Sequence, residues 1–298
     1  MIHRSRVNSL VLILSLLLVG CQGTVPEANN PNATITQENS VNPQESAERV
    51  VALTSLSADI IYQLDKTKLV GIPGSRLMAG DERFQDLPKV SQGQTPPNVE
   101  KIVALKPDLV IGAAGFHDAV LKQLEEVGVA TQSTEIDSWD GLIALTEEIA
   151  RAIASDPDPL LERYQTFLAD IPESKYSTLT LVSRQPMLAP NKNSWAGDLL
   201  SKFQVQNVAA ELQGNAPIGG YVTLSPEKVL QSQPEILLIV DTGEGLPEQL
   251  KSEPFWQELP ATQRDRVYVF DYYGLVNPGS IDKIEEACIK LQEIFSQS

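Results

Sequence analysis

Setting aside a leading segment that contains His3, the chain has one imidazole, His117. Capture of a bare zinc or manganese ion calls for several His, Cys or carboxylate ligands, and a lone imidazole without thiolates does not provide them. The sequence carries no G-x-G-x-x-G or Walker phosphate loop and no G-x-S-x-G elbow, and a single histidine leaves little for acid–base work. No catalytic residue, metal site or cofactor is assigned, and the chain reads as a non-enzyme. The chemistry left is binding by faces and forks. Phe116, Trp195, Tyr221, Tyr272 and Tyr273 offer aromatic faces to a chelated or macrocyclic ligand, and Arg76, Arg184 and Lys192 offer donors to carboxylate or hydroxamate oxygens. Each ring has a core role open to it, and each base a surface role. Trp139 and Trp256 read as structural.

Charge narrows the partners. The formal net charge is −16, which argues against nucleic acid, since phosphate binding needs a basic face. Few bases near a cleft also disfavour a highly anionic tris-catecholate complex; a near-neutral hydroxamate complex or a corrinoid fits better. At the N-terminus, Arg4 and Arg6 precede an apolar stretch from Leu10 to Val19 that is too short to cross a bilayer. It reads as an export signal over residues 1–20. Leu18-Val19-Gly20-Cys21 resembles a bacterial lipobox, which makes Cys21 the lipid anchor of an exported lipoprotein on the periplasmic or cell-surface face of a bacterial membrane. Residues 21–48 are polar and without apolar period, a disordered tether. Cys288, the other cysteine, lies in an apolar helical stripe and has no intrachain partner.

These residues need elements to hold them. Two fifteen-residue segments, NVEKIVALKPDLVIG at 98–112 and SPEKVLQSQPEILLI at 225–239, align without a gap. Each reads as an N-cap, an acid in the first turn, an apolar helix face, a proline stop and a buried strand. The repeat predicts two related α/β lobes: residues 49–136 and 177–298, with connecting helices over 137–176. Strands are expected at Val50–Leu53, Leu69–Ile72, Leu109–Gly112, Leu179–Ser183 and Val267–Phe270, and helices at Val120–Val127, Trp139–Ala154, Pro159–Ile171, Ala196–Phe203 and Ile281–Phe295. Residues 184–194 read as a loop. Buried parallel strands alternating with helices make each lobe doubly wound, and ligands then bind outside the carboxyl ends of the strands.

Segments 49–64, 69–74, 87–112, 255–271 and 278–279 together resemble the class III periplasmic binding proteins, which serve ABC importers of ferric siderophores, haem and cobalamin. The likeness runs from about Arg49 to the C-terminus and is most specific in NVEKIVALKPDLVIG. It implies two Rossmann-like lobes joined by a single bridging helix, here 159–171 and shortened by Pro172, with the ligand in the cleft between them. It further implies a monomer that delivers its ligand to an ABC permease dimer with its ATPase. Carried over position by position, the family's docking glutamates are Glu100 and Glu227, although an acid in a first turn also serves the helix dipole. The reading is a lipid-anchored binding protein for a chelated iron complex, with cobalamin or haem as the alternative ligand. A chelatase-like enzyme and a ligand-sensing surface lipoprotein are the alternatives of another class.

Overall fold

The computed structural model describes residues 46–296, except 94, 173, 174, 215, 217 and 244. The signal segment, Cys21 and the tether up to residue 45 lie outside the described residues. The fold takes in the last residues assigned to the tether: the Ala47 N–H donates to the Ala152 carbonyl at 2.7 Å, and Glu48 pairs with Lys68.

Lobe one consists of β1 (Val50–Ala52), α1 (Ser55–Asp65), β2 (Leu69–Gly71), α2 (Arg76–Ala79), α3 (Val99–Ala104), β3 (Leu109–Ala113), α4 (Asp118–Glu126) and β4 (Ala130–Thr134). Its strands are parallel in the order β2-β1-β3-β4. After α5 (Trp139–Ala152) and α6 (Asp158–Phe167), lobe two contains β5 (Ser177–Leu181), β6 (Ser183–Arg184), β7 (Met187–Pro190), α7 (Trp195–Lys202), β8 (Gln206–Asn207), β9 (Tyr221–Leu224), α8 (Pro226–Ser232), β10 (Ile236–Asp241), α9 (Leu246–Lys251), α10 (Pro260–Gln263), β11 (Val267–Asp271), the short turn α11 (Tyr272–Leu275) and α12 (Ile281–Ser296). Its parallel sheet runs β8-β5-β10-β11, so β5 occupies the place of β1, and β10 that of β3.

The sequence repeat is a repeat of structure down to single atoms. Asn98 and Ser225 cap α3 and α8 by accepting the N–H of Lys101 and Lys228. Just past each helix end, Lys106 and Gln233 take left-handed φ of 50° and 43°, the conformation that closes a helix terminus. Asp108 then accepts the Arg49 N–H ahead of β1, and Glu235 accepts the Ser177 N–H at the start of β5. The same carboxylate position thus pins the entry of the neighbouring strand in both lobes.

Strand side chains alternate between two cores. Val50, Ala52, Ile111, Ile236, Leu238 and Val240 belong to one cluster that also takes in α1, α5, α6, α7 and α12. Val51, Leu53 and Val110 face a second cluster on the outer side of lobe one, and Leu237 and Ile239 a third on the outer side of lobe two. The lobes therefore share one continuous apolar core, which holds them as a unit where a small polar interface would let them swing. Helix α6, expected to bridge as far as Ile171, ends at Phe167: Leu168 takes the cap and Asp170 turns to φ 53°, so Pro172 lies beyond the stop. Helix α5 also lies along the junction, with the Trp139 N–H donating to Asp198 Oδ2 of α7 at 2.7 Å. The predicted loop 184–194 contains strand structure instead: β6, β7 and β9 form a small antiparallel sheet. Its members are too short, and too interrupted by Pro186, to show a period-two pattern.

Candidate functional site

The segments that follow β2 and β11 line one cavity across the lobe junction. Past β2, Ser75 caps α2 by accepting the Met78 N–H and bonds to Ser55 at the head of α1 at 2.8 Å. This places Arg76 at the cleft. Past β11, Asp271 accepts the Tyr273 N–H at 3.1 Å, and Gly274 turns to φ 93°. A Cβ on Gly274 would stand 2.1 Å from the Lys283 carbonyl, so only glycine lets this turn lie against α12.

Between these segments lies a cavity of about 620 Å3, within the usual range of small-molecule sites. Lobe one contributes Arg76, Leu77, Asp81 and Arg83 among others, and lobe two contributes Asp271, Tyr273, Asp282 and Lys283. Arg76 reaches over the gap: a Cβ on Gly243, in the loop after β10, would meet its Nη1 at 3.7 Å. Burial pushes the Tyr273 phenol up, with the Arg76 charge pulling the other way, so the hydroxyl keeps its proton. Tyr272 packs edge-on against Tyr273, with ring centroids 5.3 Å apart at 69°. Burial also raises the half-buried Tyr221, with a smaller contribution from Tyr272. Of the expected ligand residues, Arg76 and Tyr273 line the cavity, whereas Tyr272 packs on Tyr273 and the shared core, and neither Tyr272 nor Tyr221 is among the lining residues.

Phe116 does not line this cavity but stands on the turn after β3, 89% exposed. The turn is closed by His117, whose Nδ1 accepts the Ala113 N–H at 2.9 Å, and by Asp118, which accepts the Gly115 N–H at 3.0 Å. Burial lowers the His117 pKa, with Asp118 opposing. Burial and the Ala113 N–H that Nδ1 accepts keep this nitrogen unprotonated, so the imidazole acts as a loop brace.

Two expected ligand contacts are corrected. Trp195 is a core residue: it is 3% exposed, stacks on Trp139 at 6.1 Å and 19°, and donates its indole N–H to the Gly274 carbonyl at 2.8 Å. As first residue of α7 its side chain turns inward beneath the cleft loop it supports. Arg184 is not among the cavity's lining residues and is held by Glu253, which accepts from its Nε at 2.5 Å. Lys192 pairs with Glu211 at 2.7 Å on the surface.

Sequence reasoning missed the wall of the cavity. Arg83, on the turn after α2, ion-pairs with Asp81 at 2.6 Å, with Asp59 of α1 at 3.1 Å and with Asp282 of α12 at 2.8 Å. Asp59 is fully buried, its Oδ2 accepts the Ile281 N–H at the head of α12, and its Oδ1 meets Arg83 outside hydrogen-bond geometry. Burial raises its pKa against the pull of that N–H and of Arg83. Arg163 of α6 joins through Asp282 and Glu285. One signal was available: Asp59 sits within the run Leu56–Ile61 of α1, all of which is buried.

Glu100 and Glu227 are both exposed, at the second position of α3 and α8. Hydrogen bonding by Ser225 holds the Glu227 carboxyl below its usual range. Among the described residues, no group of three or more His, Cys, Asp or Glu side chains could hold a metal ion, and no helix is long and apolar enough to cross a membrane.

Comparison with known proteins agrees with this architecture. The chain is 24% identical over 265 residues to an uncharacterized ABC transporter substrate-binding lipoprotein of Bacillus subtilis, covering 83% of this chain and 78% of that one. It is 25% identical over 302 residues to an Fe(3+)-citrate-binding protein of the same organism, covering 90% and 91%. The crystal structure of the periplasmic vitamin B12-binding protein of Vibrio cholerae matches with a TM-score of 0.61 at 23% identity, over 84% of this chain and 97% of that one, and so shares the fold. The family model described as periplasmic binding protein matches residues 50–273, and with two parallel-sheet lobes around an interlobe cavity the chain belongs to that family of non-enzymatic binding proteins.

Proposed function

We propose that this protein captures a chelated iron complex in the cleft between its lobes and delivers it to an ABC permease with its ATPase, while a lipid on Cys21 anchors it to the exported face of a bacterial membrane. The carrying observation is the interlobe cavity, of about 620 Å3, with Arg76 and Tyr273 in its wall. It has room for a preformed complex, and among the described residues it lacks a ligand set for a bare ion. The likeness to an Fe(3+)-citrate-binding protein and to a substrate-binding lipoprotein supports the ligand class and the anchor. A corrinoid is the second reading, favoured by the fold shared with the vitamin B12-binding protein.

The test is titration of the purified protein with ferric hydroxamates, ferric citrate, haem and cobalamin, followed by tryptophan fluorescence. An iron chelate is expected to bind, and Tyr273→Ala to weaken it by roughly 5- to 150-fold, the equivalent of about 1–3 kcal/mol for a lost ligand-packing ring. Binding of cobalamin alone would select the corrinoid reading, and tight binding of free zinc or manganese would overturn both.

A further inference from the structure

We infer that the cavity selects a neutral or cationic complex over a polyanionic one, an inference about ligand charge that rests on the cleft being the ligand site. The lining carries five carboxylates, Asp81, Glu82, Asp271, Asp282 and Glu286, against three bases, Arg76, Arg83 and Lys283. Ion pairing removes most of the positive potential. Arg83 serves Asp59, Asp81 and Asp282 together, and Lys283 is held by Glu286 at 2.6 Å. Arg76 is the lining base with no ion pair among the described residues, and it shares the lining with Asp271 and Glu82. Behind the wall, Arg163 and Glu285 offset one another.

This balance cannot rearrange to suit an anion. The three partners of Arg83 come from α1, from the turn beside it and from α12, and Asp59 is fixed to the first N–H of α12. Both α1 and α12 are seated in the shared core. A polyanion would bring its charge into a cleft whose low-dielectric walls focus a negative field, within a chain of net charge −16. A complex with no net charge meets no such opposition, and a cationic one is attracted.

The experiment compares three ferric complexes by calorimetric titration of the full-length protein in non-ionic detergent: a neutral tris-hydroxamate, a tris-hydroxamate bearing a free ammonium, and a trianionic tris-catecholate. At about 20 mM salt the first two are expected to bind at least ~10-fold more tightly than the third. The gap should narrow toward about threefold near 0.5 M salt, where the Debye length falls below roughly 5 Å. Glu82→Lys combined with Glu286→Lys should move the anionic-to-neutral affinity ratio about tenfold toward the anion. Equal or tighter binding of the catecholate by the unaltered protein overturns the inference while leaving the cleft as the ligand site. A salt-independent order also overturns it, and requires no variant to fold. Failure of all three complexes to bind brings down the chelate reading, and this inference with it.

Discussion

At the residue scale, the same side-chain types divide by the element that carries them. Trp195 and Tyr273 are both aromatic residues near cleft loops, yet one is locked in the core and the other lines the cavity. Trp195→Ala is expected to destabilise the fold by about 3–5 kcal/mol in urea unfolding, because it opens the stack on Trp139 and orphans the Gly274 carbonyl. Phe116→Ala, at an exposed tip, should change stability by less than about 0.5 kcal/mol. Equal losses in the two variants would contradict the placement. His117 makes a pH prediction. Its folded pKa lies below the ordinary 6.5, so above that pH both states are neutral and its contribution is complete. As pH falls below 6.5 the unfolded chain takes up the proton first, and stability is lost until the folded pKa is passed. Unfolding free energies at pH 7.5 and 5.5 should therefore differ more in the native chain than in His117→Gln; identical differences would remove the brace.

At the element scale, the decisive contact is Arg83 between α1 and α12. Removing one partner of a buried ion pair leaves the other charge uncompensated, at roughly 3–5 kcal/mol. Arg83→Met should show a loss of that order at pH 7.5, although the partial exposure of Arg83 places it toward the lower end. The pH sign follows from Asp59. Its folded pKa is above the ordinary 3.8, so between the two values the unfolded chain ionises first, and the residue's contribution to stability falls as pH rises through that window. The Arg83→Met deficit should accordingly shrink as the solution is acidified toward Asp59 protonation, and Asp59→Asn in the same background should recover part of it. A deficit independent of both would mean that Arg83 acts through its packing on Tyr62 and Phe84.

At the scale of the whole molecule, the duplication sets one acid on each lobe at the same helical position, Glu100 on α3 and Glu227 on α8. The shared core fixes the distance between them, as docking to a two-fold permease requires. We expect Glu100→Lys with Glu227→Lys to abolish uptake and transporter ATPase stimulation while leaving ligand affinity within about twofold, since charge complementarity at such contacts governs orientation and encounter. Full transport by the double variant would return both acids to helix-dipole duty. A large loss of ligand affinity would place them in the cleft, where neither lies among the lining residues.

Local chemistry determined much of this protein. The repeated cap, helix, stop and strand at 98–112 and 225–239 were legible because each is a short-range signal, written in residues a few positions apart. From them followed two parallel-sheet lobes and the family likeness. Helix α12 was legible from its apolar stripe. The inserted sheet β6-β7-β9 was not, because strands of two to four residues gain their identity from cross-strand pairing that no local period records. Nor was the fate of individual side chains. Whether Trp195 faces a ligand or Trp139, and whether Arg184 is free or held by Glu253, depends on what the rest of the chain brings alongside. The cavity wall is the clearest case: Asp59, Arg83 and Asp282 are far apart in sequence and act as one group. Their meeting is decided by the packing of α12 across both lobes, and only the tertiary structure contains it.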